Sequence, residues 1–195
     1  MRRIALFVED YAHQQFLGAL LQRLADENEV EIKLDWRNAR GGHGAVVKEF
    51  KQYLRDLQRQ GGERPDLIIA ATDANCNGLR ERTKALSDVI GQIDLRIVFA
   101  VPDPHIERWL LVDSGAFKQV FGRGCDAPDH KCERARYKKM LIDAIRESGI
   151  TPSLGGIEYA EDIVKKMDLD RAARNDTSLQ RLLEDLDAVF REWQQ

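Results

Sequence analysis

Residues 67–82 read LIIAATDANCNGLRER. Leu67–Ala71 is an uninterrupted apolar run, as in a strand buried on both faces of a parallel sheet. The run gives way to Asp73, Asn75, Cys76, Asn77 and Gly78, and a charged, helix-like segment follows. Turns use Asp, Asn and Gly, and Asp and Asn also cap helices, so a simple turn is one reading of this boundary. The other is a site, because open α/β sheets place their ligands at the carboxyl ends of strands.

The flanking sequence repeats the pattern. Ile4–Val8 (IALFV) is apolar and runs into Glu9 and Asp10. Phe16, Leu17, Leu20, Leu21 and Leu24 then recur at helical spacing. Val30–Trp36 alternates apolar and polar residues, which predicts a strand with one wetter face. Arg37–Gly44 (RNARGGHG) reads as a loop. Val46, Val47, Phe50, Tyr53, Leu54 and Leu57 mark a second helix, closed by Gly61-Gly62. A third helix is expected over Gly78–Ile90 and a fourth strand over Leu95–Val101, before PDPHIERWLLVD. The alternation predicts an α/β fold with a mostly parallel four-stranded sheet flanked by helices. Past Asp113 only helical periodicities and loops remain, as at Tyr137–Glu147, Tyr159–Met167 and Leu179–Trp193. The expected organisation is an α/β core over residues 1–113 with a helical extension, 114–195, packed on it.

Composition narrows the class. The chain has 195 residues, 43% hydrophobic and 32% charged, with a net charge of -3. These are values for a globular protein with a real core. No apolar run approaches the ~20 residues of a membrane span, and the apolar stretch behind the first arginines is too short for a signal peptide. A cytoplasmic location is expected. Three cysteines at irregular spacing argue against a disulfide framework. The charge balance does not mark a nucleic-acid binder, but a local basic patch is what such binding needs.

If the first, third and fourth strands run parallel, their carboxyl ends carry Glu9 with Asp10, Asp73 with Asn75, and Asp103 with Glu107. Like charges gathered in a crevice repel unless a cation sits among them. Hard oxygen ligands suit Mg²⁺ (or Mn²⁺), which keeps several waters and uses one or two carboxylates. Capping is the competing role for Asp73 and Asn75, whereas Glu9 makes a poor cap and reads better as a site residue. His105, two residues before Glu107, is the better candidate for a general base, with His13 the other.

The order strand, Glu9, helix, strand, helix, strand, Asp73-Ala74-Asn75, helix, strand resembles a Toprim domain. That is the Mg²⁺-binding fold of topoisomerases, primases and nucleases of the overcoming-lysogenization-defect type. The family motif is a Glu after the first strand and an Asp-x-Asp after the third. IERWLLVD, with Glu107 and Trp109, and the helical tail resemble small Toprim-like proteins of bacterial defence loci. The resemblance covers residues 1–113 and, more loosely, the tail. It implies a Rossmann-like sheet and a Mg²⁺-dependent nuclease or phosphodiesterase acting on DNA or RNA in antiviral defence, beside an ATPase partner. Glu9, Asp73, Asn75 and Asp10 would be the metal ligands, and Glu9, Asp73, Glu107 and His105 the catalytic set. Two positions depart from the motif. Asn75 replaces its second acid, and Asp10 stands where a Gly often follows the Glu. The Asn75 departure favours the alternative, an inactive scaffold that binds nucleic acid or an ATPase partner.

Other features divide between function and surface. Arg37, Arg40 and His43 surround a flexible backbone just before a helix, where phosphates can bind. A plain loop is the competing reading. Arg80 and Arg82 sit where they could touch a phosphate backbone, or simply form a solvated helix face. Cys125, His130 and Cys132 lack the compact spacing of structural zinc sites. Arg134, Arg136 and Tyr137-Lys138-Lys139 form a basic run whose default is a surface helix. No P-loop occurs, and a homodimer is left open.

Overall fold

The computed structural model describes residues 1–39, 41–60, 63–128, 133 and 135–194. Strands β1 (Arg2–Val8), β2 (Ile32–Asn38), β3 (Leu67–Ala71) and β4 (Ile97–Ala100) form one sheet in the order β2-β1-β3-β4. Every pairing is parallel. Helices α1 (Tyr11–Glu27), α2 (His43–Gln60) and α3 (Leu79–Ser87) connect them. Helices α4 (Ile106–Leu111), α5 (Ser114–Phe121), α6 (Arg136–Arg146), α7 (Ala160–Lys166), α8 (Leu169–Asn175) and α9 (Thr177–Trp193) follow β4. The fold is α/β with an all-parallel four-stranded sheet between helical layers, as in Rossmann-like proteins.

Strand alternation divides the interior. Ile4, Leu6, Val8, Leu67 and Ile69 face one side, with α1 and the helices after β4; Leu141, Ile163, Leu182 and Phe190 belong to that same apolar cluster. Ala5, Phe7, Ile68 and Ala70 face the other side, against Val46, Phe50 and Leu54 of α2 and Leu86 of α3. The strand order reverses beside β1, so the crevice between the carboxyl ends of β1 and β3 is the topological switch point.

Several boundaries differ from the sequence expectation. β2 starts at Ile32, not Val30, because Val30 N–H closes the end of α1 on Ala25 O at 2.9 Å. Arg37 and Asn38 extend the strand into the expected loop. A single 3-10 turn, Asn75–Asn77, precedes a shorter α3. β4 is cut to Ile97–Ala100, the part level with Ile68–Ala71 of β3. Tyr137 is fully buried, its hydroxyl donating to Pro128 O, so the basic run is no purely exposed face. Gly61-Gly62 and Arg134 lie outside the described residues. Among the described residues, no helix is long and apolar enough to cross a membrane.

Candidate active site

Strand register builds the site. Val8 is level with Ala71, so the next residues, Glu9 and Thr72, emerge side by side at the switch point. Glu9 Oε2 accepts the Thr72 hydroxyl at 2.5 Å and the Asp73 N–H at 3.2 Å. Thr72 Oγ1 also lies 3.3 Å from His43 Nδ1, at the start of α2. Beyond β3 the chain is zipped to the loop after β4: Ala74 N–H donates to Pro102 O at 2.8 Å and Asn75 N–H to Pro104 O at 2.9 Å. That zipper carries His105 and the start of α4 to Asp73.

Asp73 is the hub. Its Oδ1 accepts Ile106 N–H at 3.0 Å, capping α4 from a neighbouring strand, and its Oδ2 accepts His105 Nδ1 at 3.0 Å. His13 Nε2 approaches Oδ1 at 3.3 Å. The other nitrogen of His13, Nδ1, lies 2.8 Å from Asp10 Oδ1, which also accepts His13 N–H as the N-cap of α1. His13 is fully buried. The result is a chain, Asp10–His13–Asp73–His105, of alternating carboxylates and imidazoles.

The electrostatics follow. Burial alone would discharge His13, but Asp73 and Asp10 on either side outweigh it and lift its pKa to about 10. Burial would raise Asp73, yet the His13 charge and the His105 and His13 hydrogen bonds hold it at about 2. His105 is raised by its bond to Asp73 against its own burial. Glu107, in the first turn of α4, is pushed up by burial. His43 is lowered by burial and by the nearby Arg82.

The structure therefore brings together Glu9, Asp10, Asp73, His105 and Glu107, and adds His43 through Thr72. Asn75 borders them, its φ of 51° in the left-handed region and its Nδ2 3.4 Å from Asp73 O. Arg82 lines the same loop, donating weakly to Ala74 O at 3.4 Å. Arg80 is exposed on α3. Arg37 turns to the α2 face instead, 4.5 Å over the Tyr53 ring and 3.2 Å from Asp35. It remains exposed there, on the side of the sheet away from His105 and Asp10. Arg40, His130 and Cys132 lie outside the described residues. Cys125 donates to Leu111 O at 3.4 Å, and burial, with Asp126 and Asp113 nearby, pushes its thiol up to about 12. That suits a packed thiol better than a thiolate ligand. Thr72 was missed by sequence reasoning; a hydroxyl directly after a wholly apolar strand was its one signal.

Among the described residues, no three His, Cys, Asp or Glu side chains are already arranged around a metal position. The donor chemistry nonetheless fits a hard cation that keeps most of its waters. A carboxylate offers about four lone-pair directions. Ile106 and His105 take two at Asp73, with His13 Nε2 close by at 3.3 Å, and Glu9 Oε1 faces the Gly42 side of the crevice. Four carboxylates, Glu9, Asp10, Asp73 and Glu107, share the crevice with three histidines, His13, His43 and His105.

A family model described as a domain of unknown function, DUF4276, matches residues 8–187. No curated protein and no solved structure matches the chain.

Proposed function

We propose that this chain, which belongs to the DUF4276 family, is a divalent-metal-dependent phosphodiesterase of Toprim type acting on nucleic acid. The observation that carries the reading is the junction of Glu9 with Thr72 and Asp73 at the switch point, with His105 held on Asp73. Glu9 and Asp73, with Asn75 in support, would hold Mg²⁺ or Mn²⁺. Bound there, the cation supplies polarisation of a phosphoryl oxygen.

The chain's own residues do the rest. Asp73 fixes His105 with Nδ1 bearing the proton, leaving Nε2 as the atom that exchanges a proton with the attacking water or leaving oxygen. His13 anchors Asp73 from behind, so the dyad does not swing. Thr72 and the Asp73 N–H orient Glu9. Arg82 and His43, on the rim, suit a phosphate backbone. The two donors on Asp73 and the His13 ring beside it also favour a second reading, a scaffold that binds nucleic acid or an ATPase partner without cutting. From the Toprim resemblance alone we propose an antiviral effector gated by an ATPase, and with it a cytoplasmic location.

The test is cleavage of plasmid, single-stranded DNA and tRNA in Mg²⁺, Mn²⁺ or EDTA, beside Glu9→Ala and Asp73→Ala. Metal-dependent cutting should fall at least ~100-fold in both variants. Cutting unchanged in both would place the chemistry elsewhere. Metal binding without cutting would favour the scaffold.

A further inference from the structure

Strand β2 is an outer strand of the sheet, pairing with β1 alone among the described strands. Glu31 O accepts from Arg2 N–H, and Ala39 N–H donates to Val8 O, so the odd-numbered residues of β2 face β1. The N–H and C=O groups of Ile32, Leu34, Trp36 and Asn38 therefore point outward. An edge of this length invites another strand unless it is blunted.

The charged side chains along it blunt the edge against strands of unmatched charge, but they are complementary to their own reverse. Glu31, Lys33, Asp35 and Arg37 alternate in sign and are all exposed on the α2 face. Ile32, Leu34 and Trp36 are half-buried on the α1 face. A groove of about 630 Å³ lies beside Leu34 and Trp36, walled by Gln15, Gly18, Ala19 and Gln22 of α1.

We propose that β2 pairs antiparallel with β2 of a second copy, with Leu34 on the two-fold axis. In that register Leu34 meets Leu34 and Ile32 meets Trp36 as hydrogen-bonded pairs, using the outward backbone groups. Lys33 then lies opposite Asp35 of the second copy, and Glu31 opposite Arg37, at the closer non-hydrogen-bonded positions. Shifting the axis by one residue either way, onto Lys33 or Asp35, sets like charges opposite each other. Shifting it by two residues, onto Ile32 or Trp36, keeps opposite charges facing but cuts the cross-strand ion pairs from four to two, so the Leu34 register pairs the most charges. The pairing is isologous, so each contact occurs twice. It joins two sheets into one of eight strands, brings the α1 grooves together, and leaves the two active-site edges facing opposite ways. The inference stands independently of the proposed chemistry.

Sedimentation velocity on the full chain across ~1–100 µM tests it. The wild type should be a dimer that dissociates at high salt. Lys33→Asp alone and Asp35→Lys alone set like charges across the axis and should each weaken the dimer at least ~10-fold. Mixing those two variants should restore a dimer, because each supplies the other's missing sign. The double variant Lys33→Asp/Asp35→Lys should dimerise by itself. Both positions are exposed, and recovery on mixing shows that the chains are folded. A wild type monomeric throughout, single variants that dimerise like it, or a mixture that stays monomeric would each overturn the proposal.

Discussion

At Asp73, three groups from three parts of the chain meet one carboxylate: the His13 ring from α1, and two donors, His105 from the loop after β4 and the first N–H of α4. Under the proposed function, His105→Gln should lower kcat by ~100-fold or more while leaving KM little changed, read in steady-state cleavage. Asp113 is a second hub, with a purely structural role. It is fully buried and accepts Gly115 and Ala116 N–H, Asp168 N–H and the Arg171 guanidinium. Burial would raise its pKa, but those donors outweigh it and hold it below the usual carboxylate range. A depressed folded-state pKa gives stability that is present above the unfolded value of ~3.9 and lost as pH falls below it. Denaturant unfolding should show this acid loss in the wild type and less of it in Asp113→Ala. At neutral pH that variant should be less stable by about 2 kcal/mol, because the first N–H groups of α5 and the Asp168 N–H lose their acceptor.

Among the elements, legibility followed the length of the apolar signal. β1 and β3 could be read from IALFV and LIIAA because strands buried on both faces carry continuous apolar runs. The site could be read through them, since Glu9 and Asp73 stand just past those runs. Helices α4, α5 and α8 span only 6, 8 and 7 residues, too short for a 3.6-residue period to declare itself. Yet α4 delivers His105 and Glu107. His13 could be named only as one of two candidate bases. Its place between two carboxylates depends on β3 lying beside β1, which no local pattern states. Arg37 read as a loop residue because glycines follow it; the strand continues through it and sets it over Tyr53. The turn before α7 offers an element-scale check. Gly156 has φ 92°, and a Cβ there would lie 2.6 Å from Ile145 Cδ1 and 2.9 Å from Leu141 Cγ of α6. Gly156→Ala should cost about 2 kcal/mol in thermal or denaturant unfolding, combining overpacking with backbone strain.

For the whole molecule, the sheet does two things with its two exposed ends. Its carboxyl edge at the β1–β3 switch point gathers acids into one crevice, where an α/β sheet offers a site. Its lateral edge at β2 carries a charge pattern that matches its own reverse. The helices after β4 complete one face of the core and brace the site from behind. Trp109 Nε1 donates to Ser178 Oγ at 2.9 Å, and Arg108 pairs with Asp176, the N-cap of α9. Glu9 and Asp73 are the residues that would hold a cation in that crevice, and metal binding tests this most directly. In a calorimetric titration with Mn²⁺, the wild type should show one site, weakened at least ~10-fold in both Glu9→Gln and Asp73→Asn, because each removes a charged hard ligand. No binding by the wild type, or equal binding by all three proteins, would contradict it.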